Sequence, residues 1–245
     1  DAFPICLNTK DPHEIVQTIK NISVAFGGIN LEDISAPRCF EIEERLQAML
    51  DIPVMHDDQH GTAVVSSAAV MVASREAGID INKTVIGQIG LGAAGQAIGQ
   101  MMMRLTGNPV YGADLSPEAL DRFEKHGGIK SNLQEIMAKC DIVVATTGAP
   151  NLIKPEMVRK GQVILALSNP NPEIDPEVAL KHGAAFAGDG KSVNNVLGFP
   201  GIFRGLVDSN ASRVSHEMLV AAAKVLVEMT PPGELVPHPL DKKVH

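Results

Sequence analysis

Two pairs of adjacent carboxylates stand out as residues that could do chemistry. Glu32-Asp33 and Asp57-Asp58 each follow a short apolar segment that predicts a β-strand. Because the carboxyl ends of parallel strands open at one edge of a sheet, we expect the two pairs to lie together. Clustered carboxylates repel one another unless a cation neutralises them, and their oxygen atoms favour Mg²⁺ or Mn²⁺. Exposed acids that cap loops or helices would show the same pattern, and the residues alone leave both interpretations open.

The histidines and cysteines do not predict a zinc site. His56 and His60 flank the second acidic pair, but no further His or Cys follows at ligand spacing, which favours a supporting or capping role. Cys6, Cys39 and Cys140 are far apart, so a disulfide framework is not expected. Unpaired thiols are typical of a reduced, cytoplasmic protein.

A glycine-rich turn, GLGAAG at residues 90–95, lies between an apolar strand and an apolar helix. In this context it predicts a dinucleotide site, in which the three glycines permit the turn, the approach of the pyrophosphate and the packing of the helix. The free N–H groups of the helix start would face the phosphates. A glycine turn that binds no nucleotide is the alternative. The residues expected at the cofactor are Gly90, Gly92, Ala93, Ala94 and Gly95.

Polar residues at the ends of later strands extend the predicted cofactor site. Asp114 ends the next strand, near the offset of roughly 20 residues expected for the carboxylate that bonds the ribose 2′-hydroxyl. Because a carboxylate there would repel a 2′-phosphate, NAD is favoured over NADP. Thr146, Gly148 and Asn169 follow further strands at the same edge, where they are candidates for cofactor contacts. Capping of the loops is their alternative role.

These sites require an α/β fold. Alternating segments predict a doubly wound, Rossmann-type parallel sheet domain plus part of a second α/β domain. Residues 1–60 are assigned to a substrate- and metal-side domain, 61–193 to the NAD-binding domain, and 194–245 to a segment returning to the first. Strands are expected at Ala2–Leu7, Val24–Ile29, Ile52–Met55, Thr84–Ile89, Pro109–Ala113, Asp141–Thr146, Val163–Leu167 and Ala184–Ala187. Helices are expected at Pro12–Ile22, Pro37–Leu50, Gly61–Ala77, Ala94–Leu105, Pro117–His126 and Ser215–Met229, and a loop at Val193–Arg204.

Composition restricts the function further. A net charge of −8 without a Lys/Arg cluster argues against nucleic acid and anionic membranes as partners. No apolar run is long enough to span a bilayer, and a hydrophobic content of 44% is enough for a sizeable core. The expected partner is a small-molecule substrate. Apolar helices such as Ser215–Met229 leave room for a homodimer.

Four segments resemble the malic enzyme family in its bacterial short form. FGGINLEDISAPRCFEIE (Phe26–Glu43) resembles the family segment that carries two metal ligands, and IPVMHDDQHGTA (Ile52–Ala63) resembles its second acidic motif. ALSNPNPE (Ala166–Glu173) and NNVLGFPGI (Asn194–Ile202) resemble its substrate-side asparagine motifs. The resemblance implies NAD-dependent oxidative decarboxylation of malate to pyruvate and CO₂ with Mg²⁺ or Mn²⁺.

The resemblance also implies roles for individual residues. The metal ligands would be Glu32, Asp33 and Asp58, and Asp57 would be the catalytic supporting acid beside them. Asn169 and Asn194 or Asn195 would contact the substrate or the nicotinamide end of the cofactor, and the sequence does not decide which of the last two points inward.

Some family residues are not matched. The family carries a Lys base and a Tyr acid upstream of the first metal motif, but Lys10 and Lys20 do not fit the lysine motif, and Tyr111 falls in the cofactor sheet. The chain is therefore expected to lack the family's N-terminal part and to bind NAD and metal while turning over malate poorly. A malolactic-type enzyme, which converts malate to lactate, and a nucleotide-binding module without chemistry are the alternatives.

Overall fold

The computed structural model describes residues 2–191, 193–241 and 243–244. Its strands are β1 (Ile29–Leu31), β2 (Val54–His56), β3 (Ile86–Ile89), β4 (Tyr111–Ala113), β5 (Ile129–Lys130), β6 (Ile142–Ala145), β7 (Val163–Ala166) and β8 (Phe186–Asp189). Its α-helices are α1 (Pro12–Ile22), α2 (Arg38–Met49), α3 (Asp57–Glu76), α4 (Ala93–Thr106), α5 (Pro117–Lys125), α6 (Leu133–Lys139), α7 (Pro176–Lys181), α8 (Phe199–Ser209) and α9 (His216–Met229).

The larger sheet has six parallel strands in the order β5-β4-β3-β6-β7-β8. The chain starts in the centre at β3, moves outwards to β5, and returns to the other side of β3, which is the doubly wound order. Helices α3, α4 and α9 cover one face, and α6 and α7 cover the other. The central strands β3, β6 and β7 are therefore buried on both faces, as parallel strands with helical crossovers require. The predicted fold class is confirmed.

A second, smaller α/β unit precedes this sheet. Strands β1 and β2 pair in parallel, and the crossover between them is α2. Apolar side chains of α1 and α2 pack on the two strands and form a separate core that includes Ile15, Ile42 and Leu46. The division into 1–60, 61–193 and 194–245 stays a prediction, and α3 runs across its first boundary. Residues 1, 192, 242 and 245 of these segments lie outside the described residues.

Helix α3 begins four residues before the predicted start at Gly61. Asp57 and Asp58 form its first turn rather than a polar loop. Acidic side chains suit this position because the first N–H groups of a helix carry partial positive charge. The rest of the helix is rich in Ala, Ser and Val and is buried on most sides, so α4 and α9 can pack closely against it.

Three other local predictions are wrong. Ala2–Leu7 forms no strand and pairs with none of the strands in the described part of the chain, and its apolar residues Phe3 and Ile5 are 77% and 48% exposed. The chain over Val24–Ile29 contains a short 3₁₀ turn, and the strand starts only at Ile29. The predicted loop Val193–Arg204 contains a second 3₁₀ turn and the first six residues of α8. Among the described residues, no helix has both the length and the apolar character to cross a bilayer.

Candidate cofactor and metal site

The pairing of β1 with β2 brings the two acidic pairs together. Leu31 lies opposite His56 in the parallel register, so Glu32 and Asp57 leave the strands at the same edge. The backbone N–H of Asp33 donates a hydrogen bond to Asp58 Oδ2 at 3.0 Å. The expectation that the two pairs lie close to each other is therefore met by the geometry.

Asp57 is the buried member of this acidic cluster and is only 2% exposed. Burial, followed by repulsion from Glu32, raises the pKa of Asp57 to about 8, while a hydrogen bond from Asn195 opposes the shift. Asn195 Nδ2 lies 2.5 Å from Asp57 Oδ2. One turn along α3, a Cβ at Gly61 would lie 1.8 Å from Asp57 Oδ1, so only glycine leaves room for this carboxyl. A carboxyl with a pKa in the neutral range can hold and release a proton during a reaction.

Glu43 is a site residue that the sequence interpretation missed. It lies on the buried face of α2, and its carboxylate accepts hydrogen bonds from the backbone N–H of His56 at 2.9 Å and from Gln59 Nε2 at 3.0 Å. His60 Nε2 lies 2.9 Å from its Oε1. Glu43 therefore holds the first turn of α3, which carries Asp57. A glutamate on the otherwise apolar face of α2 was the available signal.

The histidines of this segment contact carboxylates. His56 is fully buried, and its Nε2 lies 3.3 Å from Asp58 Oδ2. Burial lowers the pKa of His56, which favours its neutral form. His56 thus lies beside Asp58, and His60 beside Glu43, while their supporting role stays a prediction.

The acidic cluster matches a divalent cation in the type of its donor atoms. Burial raises the pKa of Glu32. Two hydrogen bonds oppose this shift, whereas repulsion from Asp58 and Asp33 adds to it. A bound cation would relieve the repulsion. Asp57 Oδ1 is buried and accepts no hydrogen bond from the described residues. Within those residues, however, no three His, Cys, Asp or Glu side chains converge on a common metal position. The assignment of ligands therefore stays a prediction.

The glycine-rich turn has the geometry that its three glycines predict. Gly90 adopts a φ of 85°, and a Cβ there would lie 2.6 Å from the carbonyl oxygen of Thr146. A Cβ at Gly95 would lie 1.9 Å from the carbonyl oxygen of Gly90, whereas one at Gly92 would meet nothing within 4 Å. Gly90 thus shapes the turn, Gly95 lets α4 pack on it, and Gly92 faces open space. Ala93 and Ala94 begin α4 and its free N–H groups.

Asp114 lies beside this turn at the end of β4. Its Oδ2 accepts a hydrogen bond from the backbone N–H of Leu91 at 2.6 Å, and its Oδ1 accepts one from Ser116 at 2.9 Å. The carboxylate therefore connects the glycine-rich turn to the end of the neighbouring strand. This is the position predicted for the group that contacts the ribose.

The remaining predicted residues follow β6, β7 and β8. Thr146 Oγ1 accepts a hydrogen bond from Gln88 Nε2 in the core at 2.9 Å, and the backbone N–H of Gly148 donates to Ser168 Oγ at 2.8 Å. Asn169 Nδ2 donates to the carbonyl oxygen of Gly190 at 2.9 Å. The loops after β6 and β7 are thus joined at the crevice edge of the sheet.

The structure separates the two asparagines that the sequence left undecided. Asn194 Oδ1 accepts a hydrogen bond from the backbone N–H of Val196 at 3.0 Å and caps a 3₁₀ turn. Asn195 instead contacts Asp57. Of the pair, Asn195 is the one whose side chain reaches the acidic cluster.

Comparison with known proteins identifies the family. The chain is 60% identical to NAD-dependent malic enzyme 1 of Bacillus subtilis, covering 100% of this chain and 56% of that protein. The crystal structure of the NAD-dependent malic enzyme of Thermotoga maritima superposes with a TM-score of 0.90 at 35% identity, covering 100% of this chain and 71% of that one. The chain belongs to the malic enzyme family. The NAD-dependent malic enzyme of Geobacillus stearothermophilus is also similar, at 42% identity over 96% of this chain and 53% of that protein.

Two family models match residues 7–152 of the chain. The model described as malic enzyme, N-terminal domain, matches residues 7–47, and the NAD binding domain of D-isomer specific 2-hydroxyacid dehydrogenase matches 47–152. The first match contains Glu32 and Glu43, and the second contains the glycine-rich turn and Asp114. The resemblance inferred from the sequence is confirmed. The chain spans about half the length of the curated relatives that it matches.

Proposed function

We propose that this malic enzyme chain serves the NAD-dependent oxidative decarboxylation of malate to pyruvate and CO₂. The observation that carries the proposal is the cluster of Glu32, Asp57 and Asp58 at one strand edge, with Asn195 bound to its buried member. Two relatives, at 60% and 42% identity, bear the name NAD-dependent malic enzyme, which supports it.

NAD is the proposed cofactor, and it would supply the hydride acceptor. Gly92 leaves the backbone open to the pyrophosphate, the start of α4 offers its free N–H groups, and Asp114 stands where the adenosine ribose would lie. Asp114→Ser is expected to weaken NAD binding and to improve NADP binding, because it removes the negative charge that repels a 2′-phosphate. Equal effects on the two cofactors would contradict this assignment.

We assign a divalent Mg²⁺ or Mn²⁺ to Glu32, Asp33 and Asp58. A cation there would polarise the C2 oxygen of malate and favour loss of its proton. Asp57, which is buried beside these ligands, would hold or release a proton next to the reacting atoms. Asn195 would orient Asp57 through its hydrogen bond. Asn169 and Asn194 remain candidates for contacts with the substrate.

The first experiment mixes the purified chain with malate, NAD⁺ and Mn²⁺ and follows NADH, pyruvate and lactate together. NADH and pyruvate in equal amounts would establish oxidative decarboxylation. Lactate without net NADH would favour the second candidate, a malolactic reaction. This candidate is supported by the bifunctional malic/malolactic enzyme of Bacillus subtilis, which is 39% identical over 100% of this chain and 66% of that protein.

Binding is measured separately from turnover, because no motif here matches the family's Lys base and Tyr acid. Calorimetric titration with NAD and with Mn²⁺ tests the cofactor and metal sites even if malate is converted slowly, and oxalate serves as the substrate-like chelator. Glu32→Ala and Asp58→Ala are expected to weaken Mn²⁺ binding at least tenfold and to leave NAD binding intact. Glu76→Ala, at the other end of α3, is the control. Equal loss of NAD binding would show that the acids are wrongly assigned.

We further propose that the protein is a cytoplasmic homodimer. Cys6, Cys39 and Cys140 are all unpaired, which suits a reducing compartment. Val207 on α8 and Val225 on α9 are exposed apolar residues that a second copy could cover. Sedimentation equilibrium would decide the oligomeric state, and a monomer at micromolar concentration would contradict the dimer.

A further inference from the structure

Glu173 is a buried carboxylate to which the proposed chemistry gives no role. It lies in the loop between β7 and α7 and has no exposed surface. Its Oε1 accepts hydrogen bonds from the backbone N–H of Thr147 at 2.6 Å, from Thr147 Oγ1 at 2.8 Å and from Ser168 Oγ at 2.5 Å. Its Oε2 accepts a longer one from the backbone N–H of Ser168 at 3.4 Å.

These bonds join two loops that lie far apart in the sequence. Thr147 belongs to the loop after β6, and Ser168 belongs to the loop after β7. The hydroxyl of Ser168 donates to Glu173 and accepts a hydrogen bond from the backbone N–H of Gly148 at 2.8 Å, which closes the network. Burying a carboxylate is costly unless hydrogen bonds replace its hydration, and four donors do so here. Because its four donors come from two loops, the carboxylate of Glu173 restrains both loops in one arrangement.

The restrained loops lie on one side of the doubly wound sheet. The glycine-rich turn and Asp114 belong to the half built from β3, β4 and β5, which suits the adenosine part of a dinucleotide. The loops after β6 and β7 belong to the other half, across the point where the strand order reverses. That half is where the nicotinamide part of the same dinucleotide would extend.

We propose that Glu173 is a positioning residue that holds the loops after β6 and β7 in place for the nicotinamide half of NAD. This inference rests on the proposed use of NAD. Glu173 acts through Thr147, Gly148 and Ser168 and does not itself touch the cofactor. Loss of its charge therefore affects the nicotinamide half and leaves the adenosine half unchanged.

The test compares two ligands on the same protein. Glu173→Gln keeps the size of the side chain but replaces the carboxylate by an amide. Its N–H₂ group cannot accept a hydrogen bond, and its oxygen is a weaker acceptor for the four donors. Calorimetry on the full chain is expected to show a Kd for NAD at least ten times that of the original chain, with a Kd for AMP changed less than twofold. Glu177→Gln, which removes the same charge from the exposed start of α7, is the matched control and is expected to change neither value.

A merely structural role predicts a different result. If Glu173→Gln lowers the melting temperature but leaves the Kd for NAD unchanged, or weakens NAD and AMP equally, the inference is overturned. If Glu173→Gln does not fold, Ser168→Ala is used instead, because it removes one donor of the network. It is expected to raise the Kd for NAD at least threefold and to leave the Kd for AMP unchanged. An unchanged Kd for NAD would overturn the inference. Failure of the original chain to bind either ligand would instead refute the proposed use of NAD.

Discussion

Replacing Gly95 by alanine would test whether this glycine is needed for packing or only for cofactor binding. Gly95 lies in the first turn of α4 with ordinary helical backbone, so alanine would suffer no backbone strain. Its Cβ, however, would lie 1.9 Å from the carbonyl oxygen of Gly90. That oxygen belongs to the backbone of the glycine-rich turn, which is itself held by Asp114 through Leu91. The turn would have to open before alanine could fit.

The two contributions to stability have opposite signs. Alanine is favoured over glycine within a helix by up to about 1 kcal/mol. Overpacking of a filled site costs about 1–3 kcal/mol, and the upper end applies here because the neighbouring atom is backbone rather than a flexible side chain. We expect a net loss of about 2 kcal/mol of unfolding free energy, combining these two values. For a chain of this size, that corresponds to a fall in Tm of roughly 4–8 °C.

Thermal unfolding followed by circular dichroism would measure the change, with two matched variants. Gly205→Ala places the same methyl group inside α8, where nothing lies within 4 Å, so it isolates the gain in helix propensity and is expected to raise Tm slightly. Gly92→Ala also meets nothing within 4 Å. It is expected to leave Tm unchanged but to raise the Kd for NAD, because its methyl group would occupy space needed by the pyrophosphate. An unchanged or higher Tm for Gly95→Ala would refute the packing argument.

Two further predictions concern buried polar groups. Glu43→Ala leaves the backbone N–H of His56 and the side chains of Gln59 and His60 without their acceptor. An unsatisfied buried group costs about 1–3 kcal/mol, so the midpoint of urea unfolding is expected to fall. Glu44→Ala, at the exposed neighbouring position, is the control, and equal midpoints for the two variants would contradict the role of Glu43. Burial raises the pKa of Cys39 to about 11 and that of Cys140 to about 12. Iodoacetamide at pH 8 is therefore expected to modify only the exposed Cys6 in the folded protein, but all three thiols in denaturant. Mass spectrometry would measure the number of modified thiols. Rapid modification of a second thiol in the folded protein would contradict the burial.

Much of the cofactor half could be predicted from the sequence because its signals are local. An apolar strand, the glycine-rich turn and an apolar helix follow one another within residues 86–106, and Asp114 directly follows the next strand. Their order alone indicates a doubly wound sheet. The prediction that the two acidic pairs lie together is met for a similar reason, since parallel strands end at a common edge. The four resembling segments indicated the family without any structural information.

Local pattern failed where an element depends on its neighbours. Ala2–Leu7 has the residues of a strand, but it pairs with no strand among the described residues and forms none. Strand β5 and helices α6 and α7 have two, seven and six residues, too few for a hydrophobic period to be recognised. Asp57 and Asp58 read as a polar loop in the sequence but form the first turn of α3, where the free N–H groups of a helix start suit acidic side chains.

The sequence by itself determined the fold class, the family, the cofactor turn and the two acidic pairs, because each depends on residue types at short spacing. Only the tertiary structure decided which side chains complete the site. Asn195 reaches Asp57 across 138 positions of the chain, Glu43 holds the first turn of α3, and Glu173 joins the loops after β6 and β7. These contacts arise because a buried polar group must find a hydrogen-bond partner wherever the packing of helices and strands brings one near, and that nearness in space is not encoded in any local spacing of residues.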